Sequence, residues 1–182
     1  PGSYSYKYPK AGEVNSEVSA WSYDIKSHRT QKLEVPLGKE DYMPRILSTN
    51  DAGKIIVYTM NRHQDELNLY AVNPRSTVAK LLIKESVPKY VKEEAMESIV
   101  IDKDYILMPS DRDGYMHLYL YNQNGQLLRK IGDGQYDITA VYGYDAQTGD
   151  VYYQAAALNS HDRQVYVTEK NGKTLRLTDQ EG

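Results

Sequence analysis

The chain has 182 residues, of which 22 are basic and 25 acidic, and its net charge of −3 leaves no basic stripe that could bind nucleic acid. It contains no cysteine, which excludes a disulfide framework and a thiol nucleophile, and no apolar run approaches the roughly 18 residues of a membrane span. The 18 tyrosines and the absence of phenylalanine predict thin apolar layers close to solvent, because each tyrosine hydroxyl must reach water or a partner.

The first residues, Pro1 to Gly12, are predicted to be a connector, because Pro9 lacks the amide hydrogen that a regular strand ladder uses. Val18 to Asp24 and Thr30 to Val35 then form a predicted hairpin that lacks two preceding strands of its own unit. Since the chain starts at a proline, without an initiator methionine, we expect an excised segment or a processed product of a longer protein.

Three longer units follow, each with four predicted strands separated by turn residues. In the first unit the strands are expected at 45–48, 54–60, 66–72 and 77–84, with a turn at Asn50 to Gly53. The sequence therefore predicts an all-β fold, a partial β-propeller of about three and a half four-stranded antiparallel blades. We expect a single domain over residues 1–182, with a half blade at about 1–35 and blades at about 42–84, 96–131 and 136–178.

A repeated aromatic residue supports this division. Each copy is followed three residues later by a polar turn-former and then by another strand, and the copies lie 49, 49 and 47 residues apart at Trp21, Tyr70, Tyr119 and Tyr166. A fixed period near fifty residues in a chain of short strands is typical of propeller blades, and coincidence in a tyrosine-rich strand protein is the alternative. We predict that these aromatics occupy equivalent strand positions in successive antiparallel units, the last three in the third strand of their sheets.

The most charged connector, Glu85 to Ala95, lies between the first two full units and is too polar for a core element. In a propeller such a connector leads from the outer edge of one blade to the inner strand of the next, and can lie at a face where ligands bind. It carries the adjacent carboxylates Glu93 and Glu94, a pair that could bind a substrate ammonium, although Lys89 and Lys92 also allow a charge-balanced, solvated connector.

Other candidate chemistry is sparse. The chain has no Gly-x-Ser-x-Gly, the sequence that places a serine nucleophile on a strained turn. His28, His63, His117 and His161 follow no metal-ligand spacing and are predicted to be solvated, so no metal and no cofactor is expected.

Two further features of the turns have structural interpretations. The stretch Asp111 to Gly114 lacks the later ligands of a calcium loop and is predicted to be a tight turn. Arg62 and Arg112 both follow the second strand of their units, where an arginine can tie a turn to a neighbouring carboxylate.

Three motifs in the same order resemble the dipeptidyl peptidase IV family, its bacterial branch above all. Lys7 to Asn15 contains Tyr-Pro-Lys-Ala-Gly, Ser110 to Tyr121 is similar to the family's Ser-Glu-Arg-Asp-Gly-Trp/Tyr-x-His-Leu-Tyr-Leu-Tyr blade, and Gly134 to Thr139 is similar to its Gly-x-Trp-Glu/Asp-Val-Thr. The resemblance implies a serine exopeptidase that removes X-Pro dipeptides from peptide N-termini. In that family an eight-bladed propeller covers an α/β-hydrolase domain, with the active site in the cavity between them.

The resemblance further implies that this chain is the latter part of the propeller, serving as substrate gate, scaffold and dimer surface. It would be catalytically inactive by itself and would belong to an exported protein, periplasmic or at the cell surface of a bacterium. Its partners would be peptide substrates reached through the missing hydrolase domain. A non-enzymatic, propeller-like interaction module is the competing hypothesis.

The resemblance places limits on the candidate binding residues. The family's ammonium-binding acidic pair precedes Tyr-Pro-Lys-Ala-Gly, whereas Glu93 and Glu94 follow it, so they lie on a later connector. In family members a Trp-Val-x-Arg segment near this position brings an arginine to the extended substrate pocket; here Tyr90 and Val91 align with it, and Glu93 stands near the place of the arginine. The candidate substrate-binding residues are therefore Tyr90, Glu93 and Glu94, and no catalytic residue is predicted.

Overall fold

The computed structural model describes residues 3, 9–10 and 12–179. Within these residues the chain forms fourteen strands and one short helix. The strands are β1 Trp21–Asp24, β2 Arg29–Lys32, β3 Tyr42–Ser48, β4 Ile55–Met60, β5 Glu66–Val72, β6 Ala79–Ser86, β7 Val100–Ile101, β8 Tyr105–Ser110, β9 His117–Asn122, β10 Leu127–Ile131, β11 Ile138–Asp145, β12 Asp150–Ala155, β13 Gln164–Thr168 and β14 Thr174–Arg176, and the helix is α1 Glu93–Glu97.

These strands form four sheets in which strands that are neighbours in sequence are also neighbours in space. The first sheet pairs β1 with β2, and the other three contain β3 to β6, β7 to β10 and β11 to β14 in sequence order. The pairs β1–β2, β3–β4, β4–β5, β8–β9 and β12–β13 are antiparallel, as short turns between consecutive strands require. The predicted all-β class is therefore confirmed for the described residues.

The strand boundaries depart from the predicted ones where the ladder is irregular. β3 begins at Tyr42, three residues before the predicted start, and its register shifts between Tyr42 and Arg45. Pro44 lies in this gap, and its missing amide hydrogen explains why the pairing is interrupted there. β6 continues to Ser86, past the predicted end at Lys84, and so brings Glu85 into the sheet.

The repeated aromatics occupy the third strand of each four-stranded sheet, as predicted. Tyr70 lies in β5, Tyr119 in β9 and Tyr166 in β13, and all three are buried. Three residues further on, Asn73, Asn122 and Glu169 each donate a backbone hydrogen bond across the turn to the residue just before the fourth strand, to the carbonyls of Val78, Gln126 and Lys173. The period of about fifty residues in the sequence therefore corresponds to one four-stranded sheet.

The chain divides into two compact units, residues 1–81 and residues 82–182. The core of the first contains Ala20, Leu33, Val57, Tyr70 and Val72. The core of the second is larger and consists of nine buried residues from β8 to β13: Leu107, Leu118, Leu120, Ile131, Ile138, Val151, Tyr153, Ala155 and Tyr166. The prediction of a single domain stays a prediction.

The charged connector that begins at Glu85 and precedes β7 is partly helical and partly buried. It forms α1, and Val91, Ala95 and Met96 are buried, so the prediction that this segment contributes nothing to the core is wrong for its apolar residues. No helix in the described part of the chain is long and apolar enough to cross a membrane. Tyr8 and Ala11 of the predicted N-terminal connector lie outside the described residues.

Candidate functional site

A buried acidic side chain marks the start of the candidate site, at the point where β6 ends. Glu85 is 2% exposed although its neighbours Lys84 and Ser86 in the strand are exposed. Because side chains alternate across a strand, this one position faces inward. Its carboxylate accepts hydrogen bonds from the Ser110 hydroxyl and from the Arg112 guanidinium. Burial raises the pKa of the Glu85 carboxyl above its ordinary value, while the bonds from Ser110 and Arg112 act in the opposite direction.

Arg112 is fixed from several sides. Its Nη2 donates to Glu85 and also to the Tyr121 hydroxyl at 3.0 Å, and its Nε lies 3.1 Å from the Ser110 hydroxyl oxygen. The guanidinium carbon sits 4.0 Å from the centre of the Tyr119 ring, within the range of a cation–π contact. A planar cation with several donors suits this position, because it can bond a carboxylate while stacking on an aromatic face.

The turn that carries Arg112 is tight, as predicted, since the Gly114 amide donates to the Asp111 carbonyl at 2.9 Å. Gly114 has φ +96°, a conformation that side chains with a Cβ rarely adopt. Asp113 accepts hydrogen bonds from the Tyr119 hydroxyl at 2.7 Å and from Lys130 at 2.8 Å. The bond from Lys130, followed by that from Tyr119, lowers the pKa of Asp113. These contacts fasten the turn to the third and fourth strands of its own sheet.

The two recurring arginines have the predicted structural role. Arg62 lies 3.8 Å from a Glu40 carboxylate oxygen and donates to the Tyr42 hydroxyl at 2.6 Å, and Arg112 pairs with Glu85. The two pairs differ in burial, because Arg62 and Glu40 are 39% and 45% exposed while Arg112 and Glu85 are 24% and 2% exposed. Only the second pair is removed from water.

The candidate binding residues lie on the segment between Glu85 and α1. Tyr90 is 57% exposed, and Glu93 and Glu94 are exposed in the first turn of α1. Lys92 precedes the helix, and its ammonium lies 3.1 Å from an Asp111 carboxylate oxygen, a bond that raises the pKa of Lys92. The structure therefore places Tyr90, Glu93 and Glu94 at the surface, and it connects the segment to the turn after β8.

A cavity of about 240 Å³ opens beside α1. Its charged lining residues are Lys92, Glu94 and Asp137, whereas Glu93 and Tyr90 do not line it. The apolar wall includes Ala95, Pro109, Met116, Leu118, Ile138 and Val141. An apolar wall with a few charged groups suits one side chain or one terminus of a peptide, because the wall excludes water while the charges fix orientation.

The motif Gly134 to Thr139 supports this cavity from the side of β11. Asp137 accepts the Met116 amide at 2.7 Å, and the Ile138 amide donates to the Met116 carbonyl at 2.8 Å. The second and third motifs of the sequence are therefore joined where β9 begins and β11 begins. One carboxylate oxygen of Asp137 is therefore occupied by the hydrogen bond from the Met116 amide.

His117 corrects the prediction of four solvated histidines. It is 3% exposed, its Nε2 lies 3.1 Å from the Gly134 carbonyl oxygen, and its ring contacts Tyr136 edge-on with centroids 5.8 Å apart. Its Nδ1 has no hydrogen-bond partner among the described residues, and burial lowers the pKa of His117. The reason is register: His117 faces inward at the first position of β9. His28, His63 and His161 are exposed, as expected.

The described residues contain no group of three or more histidine, aspartate or glutamate side chains that could hold a metal ion. The glutamate that the arginine turn uses, Glu85, was not among the predicted site residues. Two signals in the sequence could have identified it: an acidic residue in an apolar strand, and the recurrence of arginine after the second strand of two units. The sequence did not indicate which carboxylate Arg112 would meet.

Comparisons with known proteins bear on the whole chain. The family model for the dipeptidyl peptidase IV (DPP IV) N-terminal region matches residues 1–182. A crystal structure of Porphyromonas gingivalis dipeptidyl peptidase 4 aligns with 98% of this chain and 26% of its own, with a TM-score of 0.89 and 36% identity. This similarity confirms the predicted fold class, a partial β-propeller of four-stranded antiparallel blades.

Fungal relatives are more distant. A dipeptidyl-aminopeptidase B from Aspergillus niger is 26% identical over 190 residues, which cover 95% of this chain and 21% of the relative. A dipeptidyl peptidase 4 from Emericella nidulans (strain FGSC A4) is 23% identical over 181 residues, covering 91% of this chain and 23% of the relative. The chain thus spans about a fifth to a quarter of the length of the proteins that it matches.

Proposed function

The chain belongs to the family of dipeptidyl peptidase IV N-terminal regions, as its three motifs predicted, and from this membership we propose that it is the propeller segment of a serine dipeptidyl peptidase that removes X-Pro dipeptides from peptide N-termini. The observation that carries the proposal is the match of the family model along all 182 residues. The 36% identity and the TM-score of 0.89 to the Porphyromonas gingivalis enzyme support it and favour a bacterial parent.

In this proposal the segment acts as substrate gate and scaffold, and it contributes no catalytic residue. The sequence contains no Gly-x-Ser-x-Gly, and peptide hydrolysis by a serine enzyme needs a nucleophile, its base and an oxyanion site held together. We assign these groups to an α/β-hydrolase domain elsewhere in the longer protein. Export to the periplasm or the cell surface of a bacterium, and a dimer surface on the propeller, belong to the same proposal.

The contact with substrate is proposed at the connector around Tyr90 and at the cavity beside α1. Tyr90 is exposed and can stack on a peptide, and Glu94 presents a carboxylate at the cavity rim beside Lys92. Glu93 is exposed in the same turn and is the weaker candidate, because it does not line the cavity. A carboxylate beside an apolar wall is suited to a cationic group of a peptide.

The proposal is tested with the natural full-length protein and a chromogenic Gly-Pro anilide. The full-length protein should release the chromophore, whereas the same substrate with an acetylated N-terminus should be inert because an exopeptidase of this type needs the free ammonium. The 182-residue chain by itself should release none. Absence of hydrolysis by the folded full-length protein, or turnover by the isolated chain, would refute the proposal.

The connector is tested in the same assay with Tyr90→Ala and Glu94→Ala. Each should raise KM while leaving kcat nearly unchanged, since each removes binding that ground and transition states share. Glu97→Ala is the matched control, because Glu97 is exposed at the other end of α1 and does not line the cavity. KM values equal to that of the native protein in all three variants would refute substrate contact at the connector and favour a solvated link between blades.

A further inference from the structure

The segment between β6 and α1 is attached at both of its ends to one short turn. Glu85 stands before the segment and Lys92 stands after it, and their partners are the consecutive residues Ser110, Asp111 and Arg112 at the end of β8. Residues 86 and 88–90 between these attachments are exposed. Both ends of this exposed loop are therefore attached to a single turn, which restricts the conformations that the loop can adopt.

The first attachment is buried and charged. Glu85 is 2% exposed and accepts hydrogen bonds from Ser110 and Arg112, so breaking the attachment would leave a carboxylate unpaired away from water. Removing one partner of a buried ion pair is strongly unfavourable for that reason. This end of the loop is therefore the firmly held one.

The second attachment combines an ion pair with apolar burial. The Lys92 ammonium lies 3.1 Å from Asp111, with the two side chains 42% and 23% exposed. Val91 on one side of Lys92, and Ala95 in α1 on the other, are buried. The ion pair alone would contribute little at this exposure, and burial of the adjacent apolar side chains further stabilises the attachment.

The turn itself is rigidly supported, so it can act as a fixed point. Arg112 stacks on Tyr119 and bonds Tyr121, and Asp113 bonds Tyr119 and Lys130, all on β9 and β10. A support that moved with the loop would position nothing. Here the support belongs to the core sheet.

We infer that Glu85, Asp111 and Arg112 are positioning residues that hold the loop of residues 86–91, and with it Tyr90, in one conformation ready to meet substrate. The inference rests on the proposed function of the connector. Its physical advantage is preorganisation: a loop that is already ordered loses less conformational freedom when the peptide binds. None of the three residues contacts the peptide in this scheme, and each acts through the loop.

The test measures the attachment at α1, where the loop ends, and the reaction separately in the full-length protein. Glu85→Gln and Asp111→Asn keep the shape of the side chain but remove one charge each. Hydrogen–deuterium exchange of peptides spanning residues 92–99 reports whether α1 is still in place. The Met96 amide donates to the Lys92 carbonyl and the Ser98 amide donates to the Glu94 carbonyl, so loosening of α1 exposes both amides. We expect exchange to rise by about tenfold, which corresponds to the loss of one charge-assisted hydrogen bond. Arg62→Gln, at the equivalent position of the preceding unit, should leave this region unchanged.

A charge exchange provides the rescue. Lys92→Glu and Asp111→Lys should each accelerate exchange, and the double variant should return it toward the native rate, since the pair is restored with opposite polarity. Because Asp111 is partly exposed, these variants are expected to fold even where Glu85→Gln does not. Native exchange rates in all of these variants, or no rescue in the double variant, would overturn the inference.

Kinetics on the Glu85→Gln and Asp111→Asn proteins separate the inference from the proposed function, because neither residue lines the cavity. If both hold, faster exchange is accompanied by a KM that is higher by roughly three- to tenfold at constant kcat, because only a fraction of molecules presents the loop correctly. Faster exchange with an unchanged KM would support the attachment of the loop and refute the substrate contact at Tyr90. A lowered kcat at constant KM would overturn positioning for substrate binding.

Discussion

Arg112→Met is the most informative single change, because it leaves a buried carboxylate without its cation. Glu85 is 2% exposed and would retain only the Ser110 hydroxyl as partner. Removing one partner of a buried ion pair costs about 3–5 kcal/mol of unfolding free energy. The exposed pair made by Arg62 and Glu40 provides the matched control, and Arg62→Met should cost only about 0–1 kcal/mol.

The pH dependence of Arg112→Met follows from the same burial. The pKa of Glu85 is already raised by burial above the ordinary 4.5, and loss of the guanidinium raises it further. The folded variant then binds a proton more tightly than the unfolded chain, so its stability is highest below the unfolded pKa and falls as pH rises through the folded pKa. The penalty relative to the native chain should therefore be large in mildly alkaline buffer and smaller in acid.

The assay is urea unfolding of the 182-residue chain, followed by circular dichroism at several pH values, with extrapolation to water. Glu85→Gln combined with Arg112→Met should recover part of the lost stability, since no charge is then buried. A loss of less than about 1 kcal/mol for Arg112→Met, as expected of an exposed pair, would refute the reasoning. A loss that does not change with pH would refute the role assigned to the Glu85 charge.

Three further predictions concern the packing around the site. Gly125→Ala should destabilise the chain strongly in thermal unfolding, because Gly125 has φ +81° and a Cβ there would lie 1.8 Å from the Leu82 carbonyl oxygen. Gly172→Ala is the control: Gly172 has φ +91° but open space around it, so the substitution should cost only backbone strain, about 1–3 kcal/mol. Tyr153→Phe should cost about 1 kcal/mol in urea unfolding, since it removes a buried hydroxyl pair at 3.0 Å; a neutral result would contradict this hydrogen bond. Burial lowers the pKa of His117 below 6.5, so the unfolding free energy of the native chain should decrease as pH falls from 6.5 toward the lowered pKa. In His117→Gln this decrease should be smaller, and an identical pH profile of the unfolding free energy in the variant would rule this out.

The candidate site could be predicted only in part. The turn at Asp111 to Gly114 and the structural role of Arg112 followed from local chemistry, and both were confirmed. The burial of His117 was missed, because its inward orientation depends on the register of β9 against β8 and on the packing of Tyr136 from a later segment. A one-residue change of register would have placed the same histidine in water.

The sequence by itself determined the repeat. The turn-former that follows each of Tyr70, Tyr119 and Tyr166 is a local property of the hairpin between the third and fourth strands, and hairpin geometry depends on neighbouring residues alone. The spacing recurs because each unit has four short strands joined by short connections. Only the tertiary structure decided which carboxylate meets Arg112, because Glu85 lies 27 residues away and its burial arises only when β6 extends to Ser86. Pairings over such distances are set by how strands pack and not by local propensity, which is why the attachment of the loop could not be read from the chain alone.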